Sequence, residues 1–334
     1  MQKFVVTKKE AGWRFDKYLR KLLPRAGTGF LYKMLRKKNI TLNQKKAAGN
    51  ETVAAGDVVE LFFSEDTFRK FSEEPAGQIY VDACRKLGDI PVIYEDEDIL
   101  ILNKPAGVLS QKAREDDISL NEWMLGYLCR KKELSECETG RFRPSVCNRL
   151  DRNTSGLVLC GKSVRGSQFL AEMLRGRSLH KYYVTCVRGR IEREIRLSGY
   201  LKKEEGQKRA EILSEEEYQR LGPADSGIKK EYKKIETVVK PLSYGRERDC
   251  TKLEILLVTG KSHQIRAHLA SIGHPVFGDR KYGFQPRDRE EEMFRYQLLH
   301  ACRVEFPEIE GEFAYLSGKC VEAAEPELFL KVCP

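Results

Sequence analysis

The sequence lacks most of the features that commonly announce a function. No run of residues approaches the ~18 consecutive apolar positions a membrane helix requires. There is no G-x-G-x-x-G behind a strand, no G-x-x-x-x-G-K-[ST] and no H-E-x-x-H. Dinucleotide, nucleoside-triphosphate and zinc-hydrolase chemistry therefore lose their usual signatures. The ten cysteines are scattered, with no C-x-x-C and no Cys/His cluster, so a structural metal site lacks its ligand spacing. Phe4, Val5 and Val6 are the only apolar run before Lys8, Lys9 and Glu10, whereas a secretion signal needs at least ~7 such residues. These absences predict reduced thiols in a cytoplasmic protein with no membrane segment, no metal and no cofactor.

What is present is charge, unevenly placed. The 334 residues carry 60 Lys/Arg and 50 Asp/Glu, a net +10, and 41% are hydrophobic, enough for a sizeable core over two domains. Residues 1–63 hold 14 basic against 5 acidic side chains, and the remaining 271 hold 46 against 45. Nearly all the excess belongs to the first fifth of the chain.

That fifth has a readable pattern. Phe15, Leu19 and Leu22 recur at helical spacing, with Asp16 as the expected cap and Pro24 as the stop. A second helical pattern after Thr28 and Gly29 places Phe30, Leu31, Met34 and Leu35 on one face, with Lys33, Arg36 and Lys37 largely on the other. Strands are expected at 40–43 and 58–62, with a turn at Gly56-Asp57. Between Arg14 and Lys46 there are eleven basic residues and one acid, Asp16. Like charges four apart, such as Lys33 and Lys37, weaken a helix. A polyanionic partner accounts for them better than a solvated basic face, because neutralising phosphates releases counterions. Neither helix carries a DNA-reading motif, so RNA is the expected polyanion, with Arg14, Lys17, Lys33, Arg36, Lys37 and Lys38 as candidate contacts. The segments G-W-R-F-D-K-Y-L, K-N-I-T-L-N and G-D-V-V resemble the small α/β RNA-binding domain first seen in ribosomal small-subunit protein four.

Residues 64–90 lose periodicity and mix their charges, as a linker does. Residues 91–334 read as one α+β domain. Strand patterns lie at 99–102, 157–160, 182–187 and 253–258, and helical patterns at 164–174 and 263–272. No regular β-α-β alternation is present. The charge-rich stretch 202–234 is expected to be an exposed excursion between strands.

Two clusters could carry chemistry. In Asn148-Arg149-Leu150-Asp151-Arg152-Asn153-Thr154-Ser155-Gly156, one carboxylate lies between two arginines at the mouth of an apolar strand. Flanking cations favour the ionised carboxylate, as a nucleophile or base needs. The bland alternative is an Asp that only caps a turn. In Thr259-Gly260-Lys261-Ser262-His263-Gln264-Ile265-Arg266, Ser262 is the expected N-cap, and His263 and Arg266 share a face at the positive end of a helix. An arginine placed there fits an anion opposite, either a phosphate or Asp151. Tyr182 and Tyr183 are neighbours on a strand, so they face opposite ways. One of them could stack on a base drawn out of its helix, or be plain packing. Lys104, after an apolar strand, reads as a phosphate contact or a surface residue.

Taken in order, I-L-I-L-N-K-P-A-G, R-L-D-R-N-T-S-G-L, K-Y-Y-V, T-G-K-S-H-Q-I-R-A-H-L-A, G-H-P-V-F-G-D-R-K-Y-G and the late L-L-H-A resemble the RluA-type RNA pseudouridine synthases from about Pro91 onward. The resemblance implies a mixed, largely antiparallel sheet and a cofactor-free isomerisation of uridine to pseudouridine. It implies a bacterial large-subunit ribosomal RNA as substrate, with transfer RNA as the alternative, and a monomer. A binding module or ribosome-assembly factor without catalysis is the alternative of a different class. Asp151 would be the catalytic aspartate, Arg266 its ion-pair partner and Tyr183 the pocket tyrosine. Arg149 would occupy the space left by the flipped uridine, and Lys104, His263 and Gln264 would contact RNA. Asn148 stands where the family usually has His, and Lys261 where it usually has Arg.

Overall fold

The structure, a computed structural model, describes residues 1–72, 77–133, 142–202, 209–222 and 227–333. They fall into two compact units. The first comprises 1–102, 109–149 and 158–172; the second comprises 103–108, 150–157 and 173–334.

The first unit begins with β1 (Gln2–Val5), α1 (Phe15–Leu22), α2 (Thr28–Arg36), β2 (Ile40–Leu42), β3 (Lys45–Lys46) and β4 (Val58–Leu61). The strands pair antiparallel in the order β1-β4-β2-β3. Phe15, Tyr18, Leu19 and Leu22 form the buried stripe of α1, at i, i+3, i+4 and i+7, in one core with Leu31, Leu35, Ile40, Val59 and Leu61. Asp16 is not the cap of α1. It lies within the first turn, buried, and accepts from Arg14 at 2.6 and 2.8 Å and from the Tyr32 hydroxyl at 3.2 Å. A carboxylate at a core position needs such partners.

The expected linker is largely helical. It carries α3 (Glu65–Phe71), capped by the Ser64 hydroxyl, and α4 (Gly77–Leu87). After β5 (Val92–Glu95) and β6 (Ile99–Lys104) comes α5 (Leu120–Arg130), and α4 packs on it at Gly126. A Cβ at Gly126 would stand 2.5 Å from the Tyr80 carbonyl oxygen, so glycine allows the approach. The basic segment is also fastened to later residues of its unit. The Val164 N–H donates to the Lys9 carbonyl at 2.8 Å, Lys9 Nζ donates to the Glu133 carbonyl at 2.5 Å, and Trp13 meets Phe142 edge-on. The unit is completed by β7 (Ser145–Val146) and by parts of β8 (Ser155–Gly161) and α6 (Val164–Gly176).

The second unit adds β9 (His180–Arg188), β10 (Ile195–Lys202), β11 (Glu211–Leu213), α7 (Glu215–Arg220), α8 (Gly227–Glu231), β12 (Lys233–Gly245) and β13 (Cys250–Leu257). They are followed by α9 (Gln264–Ser271), α10 (Arg289–Glu292), β14 (Leu299–Glu305) and β15 (Cys320–Glu322). Its sheet runs β11-β10-β12-β13-β9-β14-β8 and is antiparallel except for the parallel β14–β8 pair; β15 lies beside β14. This is the mixed, largely antiparallel sheet of an α+β chain. β12 shifts register between Pro241 and Ser243, where proline has no N–H for the ladder. The charged stretch 202–234 lies between the paired β10 and β12. Its residues 203–208 and 223–226 are outside the described residues, and the rest holds β11, α7 and α8.

Candidate active site

Asp151 sits in the turn that leads into β8, closed by the Thr154 N–H donating to the Asp151 carbonyl at 3.0 Å. Gly156 sets the path of the strand beyond that turn. Its φ is +110°, and a Cβ there would lie 2.2 Å from the Ala301 carbonyl oxygen. Only glycine lets β8 approach β14 this closely. Around it, the Gln297 amide donates to the Thr154 hydroxyl at 3.3 Å, and Ser155 Oγ bonds His300 Nδ1 at 2.9 Å.

Lys104 is fully buried, so it is not a surface residue. Its ammonium donates to the carbonyls of Pro105, Val108 and Arg152 at 3.0, 2.8 and 3.0 Å. Burial pulls its pKa down to about 7, against an opposing pull from the charge of Asp151. Its place is internal: it ties the turn after β6 to the residue following Asp151. Gly107 and Arg152 reinforce that tie through two further hydrogen bonds, at 2.9 and 3.0 Å.

α9 supplies the facing side. It begins at Gln264, and the residue before it is His263 in the left-handed region at φ +60°, so Ser262 is not the cap. Gln264 is also corrected from RNA contact to internal brace. Its Oε1 accepts from the Thr259 hydroxyl and the Lys261 N–H, and its Nε2 donates to the Glu236 carbonyl and the Thr237 hydroxyl, at 2.9–3.2 Å. Residues 264–269 are all buried, polar ones included.

Arg266 therefore meets its anion inside the protein. Nη1 donates to Asp151 Oδ2 at 2.8 Å, while Nε and Nη2 donate to the two oxygens of Asp279 at 2.6 and 2.9 Å. Burial works against the charge on Arg266, and the two carboxylates outweigh it, so its pKa lies above the ordinary value. The guanidinium also lies over the Tyr282 ring, 5.0 Å from the centroid. His263 Nε2 stands 3.8 Å from Asp151 Oδ2, and Nδ1 is 2.9 Å from the Tyr282 hydroxyl, which accepts the Ala210 N–H at 2.7 Å. Tyr183, on β9 opposite Ala301 of β14, is buried. Burial, and then the charge of Asp151, push its phenol pKa upward, so it faces the site as a neutral ring.

The other expected residues lie elsewhere. Arg149 is exposed and belongs to the first unit. Lys17, Lys33, Arg36, Lys37 and Lys38 are exposed on the first unit, whereas Arg14 is committed to Asp16. Asn148, standing where the family usually has His, accepts the Leu159 N–H at 2.7 Å. Lys261 is exposed. Reading residue types one at a time misses Asp279 and Tyr282, the anchors of Arg266 and His263. The available signal is Gly278-Asp279 within the G-D-R-K-Y-G run: Gly278 has φ +81°, and a Cβ there would meet the Tyr296 carbonyl oxygen at 2.2 Å.

The arrangement is one partly exposed carboxylate with a dedicated cation, and a buried tyrosine near enough to feel its charge. No cluster of residues that could hold a metal occurs among the described residues. The family model described as RNA pseudouridylate synthase matches residues 98–271, which include Asp151, Tyr183 and Arg266. The chain belongs to the RNA pseudouridine synthase family. It is 31% identical over 314 residues, 93% of this chain and 90% of the other, to an RNA pseudouridine synthase homologue from Mycoplasma pneumoniae. It is 30% identical to the ribosomal large subunit pseudouridine synthase C of Rickettsia bellii, covering 86% of this chain and 87% of the other. The protein of that name from Escherichia coli is 30% identical, covering 85% and 81%. Among solved structures, human RNA pseudouridylate synthase domain containing 1 matches with a TM-score of 0.52 at 22% identity, over 74% of this chain and 87% of that one. This last likeness supports the synthase fold. The chain is thus an RNA pseudouridine synthase.

Proposed function

We propose that this synthase converts uridines of large-subunit ribosomal RNA to pseudouridine, with Asp151 as the catalytic carboxylate. The reaction breaks the bond between ribose C1′ and uracil N1, turns the uracil and joins C1′ to C5. The proton on C5 is lost and one is gained at N1, so no oxidant, reductant or energy source is consumed. Asp151 can attack C1′, attack uracil C6 or remove a proton from the sugar; each use requires an ionised, oriented carboxylate. The observation that carries the reading is the Arg266–Asp151 contact at 2.8 Å, which fixes one carboxylate oxygen and leaves the other for substrate. Tyr183 supplies the wall against which the extruded base rests. Arg149 fills the place that base vacates, and the exposed lysines and arginines of residues 1–63 hold the RNA backbone. The ribosomal substrate is supported by the names of the bacterial relatives at about 30% identity.

The experiment is Asp151→Asn, nearly isosteric, with pseudouridines mapped in ribosomal and transfer RNA from cells lacking the wild-type gene. Loss of specific ribosomal positions, restored by wild type and not by the variant, is expected. Loss confined to transfer RNA overturns the substrate. Full restoration by Asp151→Asn overturns the role of Asp151 and favours a binding or assembly function.

A further inference from the structure

The second unit also has a surface cavity of about 550 Å³, lined by Arg280, Arg289, Glu292, Met293 and Arg295. The nearby acidic side chains are largely committed elsewhere. Asp279 holds Arg266, Glu290 pairs with Arg248 at 2.7 Å and Glu291 pairs with Arg188 at 2.5 Å. Asp288 accepts the Glu291 N–H at 2.8 Å. Arg280 reaches only the Glu292 carbonyl, at 3.3 Å, and Arg289 and Arg295 make no ion pair among the described residues. Three guanidiniums thus face one carboxylate, that of Glu292, on a chain whose residues 64–334 are otherwise almost charge-balanced. Met293 is 78% exposed and the neighbouring Tyr296 59% exposed, unusual for side chains so large.

We propose that this cavity is a second RNA-binding site, in the same unit as Asp151, which grips the phosphate backbone of the substrate RNA. Guanidinium forks match phosphate oxygens in a way that a solubilising lysine face does not. The exposed Tyr296 ring and Met293 offer a face on which an unpaired base can stack. Arg280 directly follows Asp279, so the chain that anchors Arg266 continues into the RNA grip. The inference rests on the reading of RNA as substrate.

The test uses full-length protein and transcribed large-subunit ribosomal RNA fragments, assayed both for binding and for pseudouridine. Arg280→Ala/Arg289→Ala/Arg295→Ala is compared with the corresponding triple lysine variant. Arg289→Ala/Arg295→Ala is included as a double variant that breaks no ion pair and so keeps its fold. RNA affinity against KCl concentration, kcat and KM are measured. Loss of three phosphate contacts flattens the log–log salt dependence by about two and weakens binding roughly ten- to a hundredfold. KM rises with it, kcat at saturating RNA stays within about twofold, and the lysine variant keeps most of the slope. Unchanged affinity and slope in both alanine variants overturn the proposal. Competition by polyglutamate that needs these arginines, with RNA affinity unchanged, overturns it in favour of an acidic polypeptide. If the wild type binds RNA but forms no pseudouridine, the functional reading fails while the salt slope still reports on the cavity.

Discussion

Asp279 takes two of the three guanidinium nitrogens of Arg266, at 2.6 and 2.9 Å, and so aims the third at Asp151. The pair is buried on both sides. Removing one partner of such a pair leaves an uncompensated charge, at a cost of about 3–5 kcal/mol. Asp279→Asn should therefore lower stability in urea by that order. With the aim lost, kcat should drop roughly a hundredfold, since a misplacement of about 1 Å costs that much. Full activity in Asp279→Asn would show that the contact with Asp151 does not depend on this anchor.

His263 is held by the Tyr282 hydroxyl, and Tyr282 also carries the Arg266 guanidinium on its ring. Tyr282→Phe separates the ring from the hydroxyl, deleting the contacts to His263 and to the Ala210 N–H and keeping the face that carries Arg266. It should retain the Asp279–Arg266 geometry and the melting temperature to within a few degrees. Single-turnover rates should fall roughly tenfold, the scale of one lost hydrogen bond. An unchanged rate with unchanged KM would show that turnover does not depend on how Tyr282 holds His263.

Lys104 makes a pH-dependent contribution whose sign is fixed. Its value in the folded protein is about 7, against 10.5 for the free side chain. Between those limits the unfolded chain binds more protons than the native state, so this contribution to stability rises with pH and is lost as pH falls towards 7. Urea unfolding of wild type and Lys104→Met at pH 7, 8.5 and 10 should show the difference moving in favour of wild type. Lys104→Met also removes three hydrogen bonds to carbonyls, of which that of Arg152 keeps the Gly107 N–H, and should be the less stable protein throughout. A difference that moves the other way with pH would show that the fold favours the charged form of Lys104, against the pull of burial.

Neutralising Lys33, Arg36 and Lys37 together should weaken binding to ribosomal RNA and flatten its salt dependence by about two to three. These side chains are exposed on the first unit, so the melting temperature and kcat at saturating RNA should remain near wild type. A steep, unchanged salt slope would assign the basic segment to another partner.

Strands and helices with clean periodicity are legible in the sequence. α1 shows its stripe of Phe15, Leu19 and Leu22, and β13 alternates inward and outward as a half-buried strand does. α3 and α4 resemble a linker because they are short and mixed in charge, yet α3 packs through Phe68 on Phe4 and Phe71 on Phe30, and α4 closes on Gly126 at Tyr80. α9 is recognisable as a helix, but its polar residues give no sign of facing inward. Gln264, Arg266 and His268 are all buried, because polar partners from β12 and the Asp279 turn meet them there. Lys104 is illegible for the same reason: carbonyl acceptors from the 105–108 turn and Arg152 cannot be read from side-chain types. The Asp151–Arg266 contact spans 115 positions. Residue types alone leave Asp151 as one of two possible anions for Arg266; the family resemblance implies the pair.

Gly156 gives the enzyme a particular kind of heat inactivation. The strand that follows Asp151 lies directly against Ala301 of β14, which on its other side is paired to β9 at Tyr183. The short turn that carries the carboxylate and the strand that carries the ring are therefore joined to one sheet and are expected to melt with it. Activity measured after brief heating should fall over the same temperature range as the far-ultraviolet dichroism, with no inactive folded plateau between them. Gly156→Ala should move both curves down together.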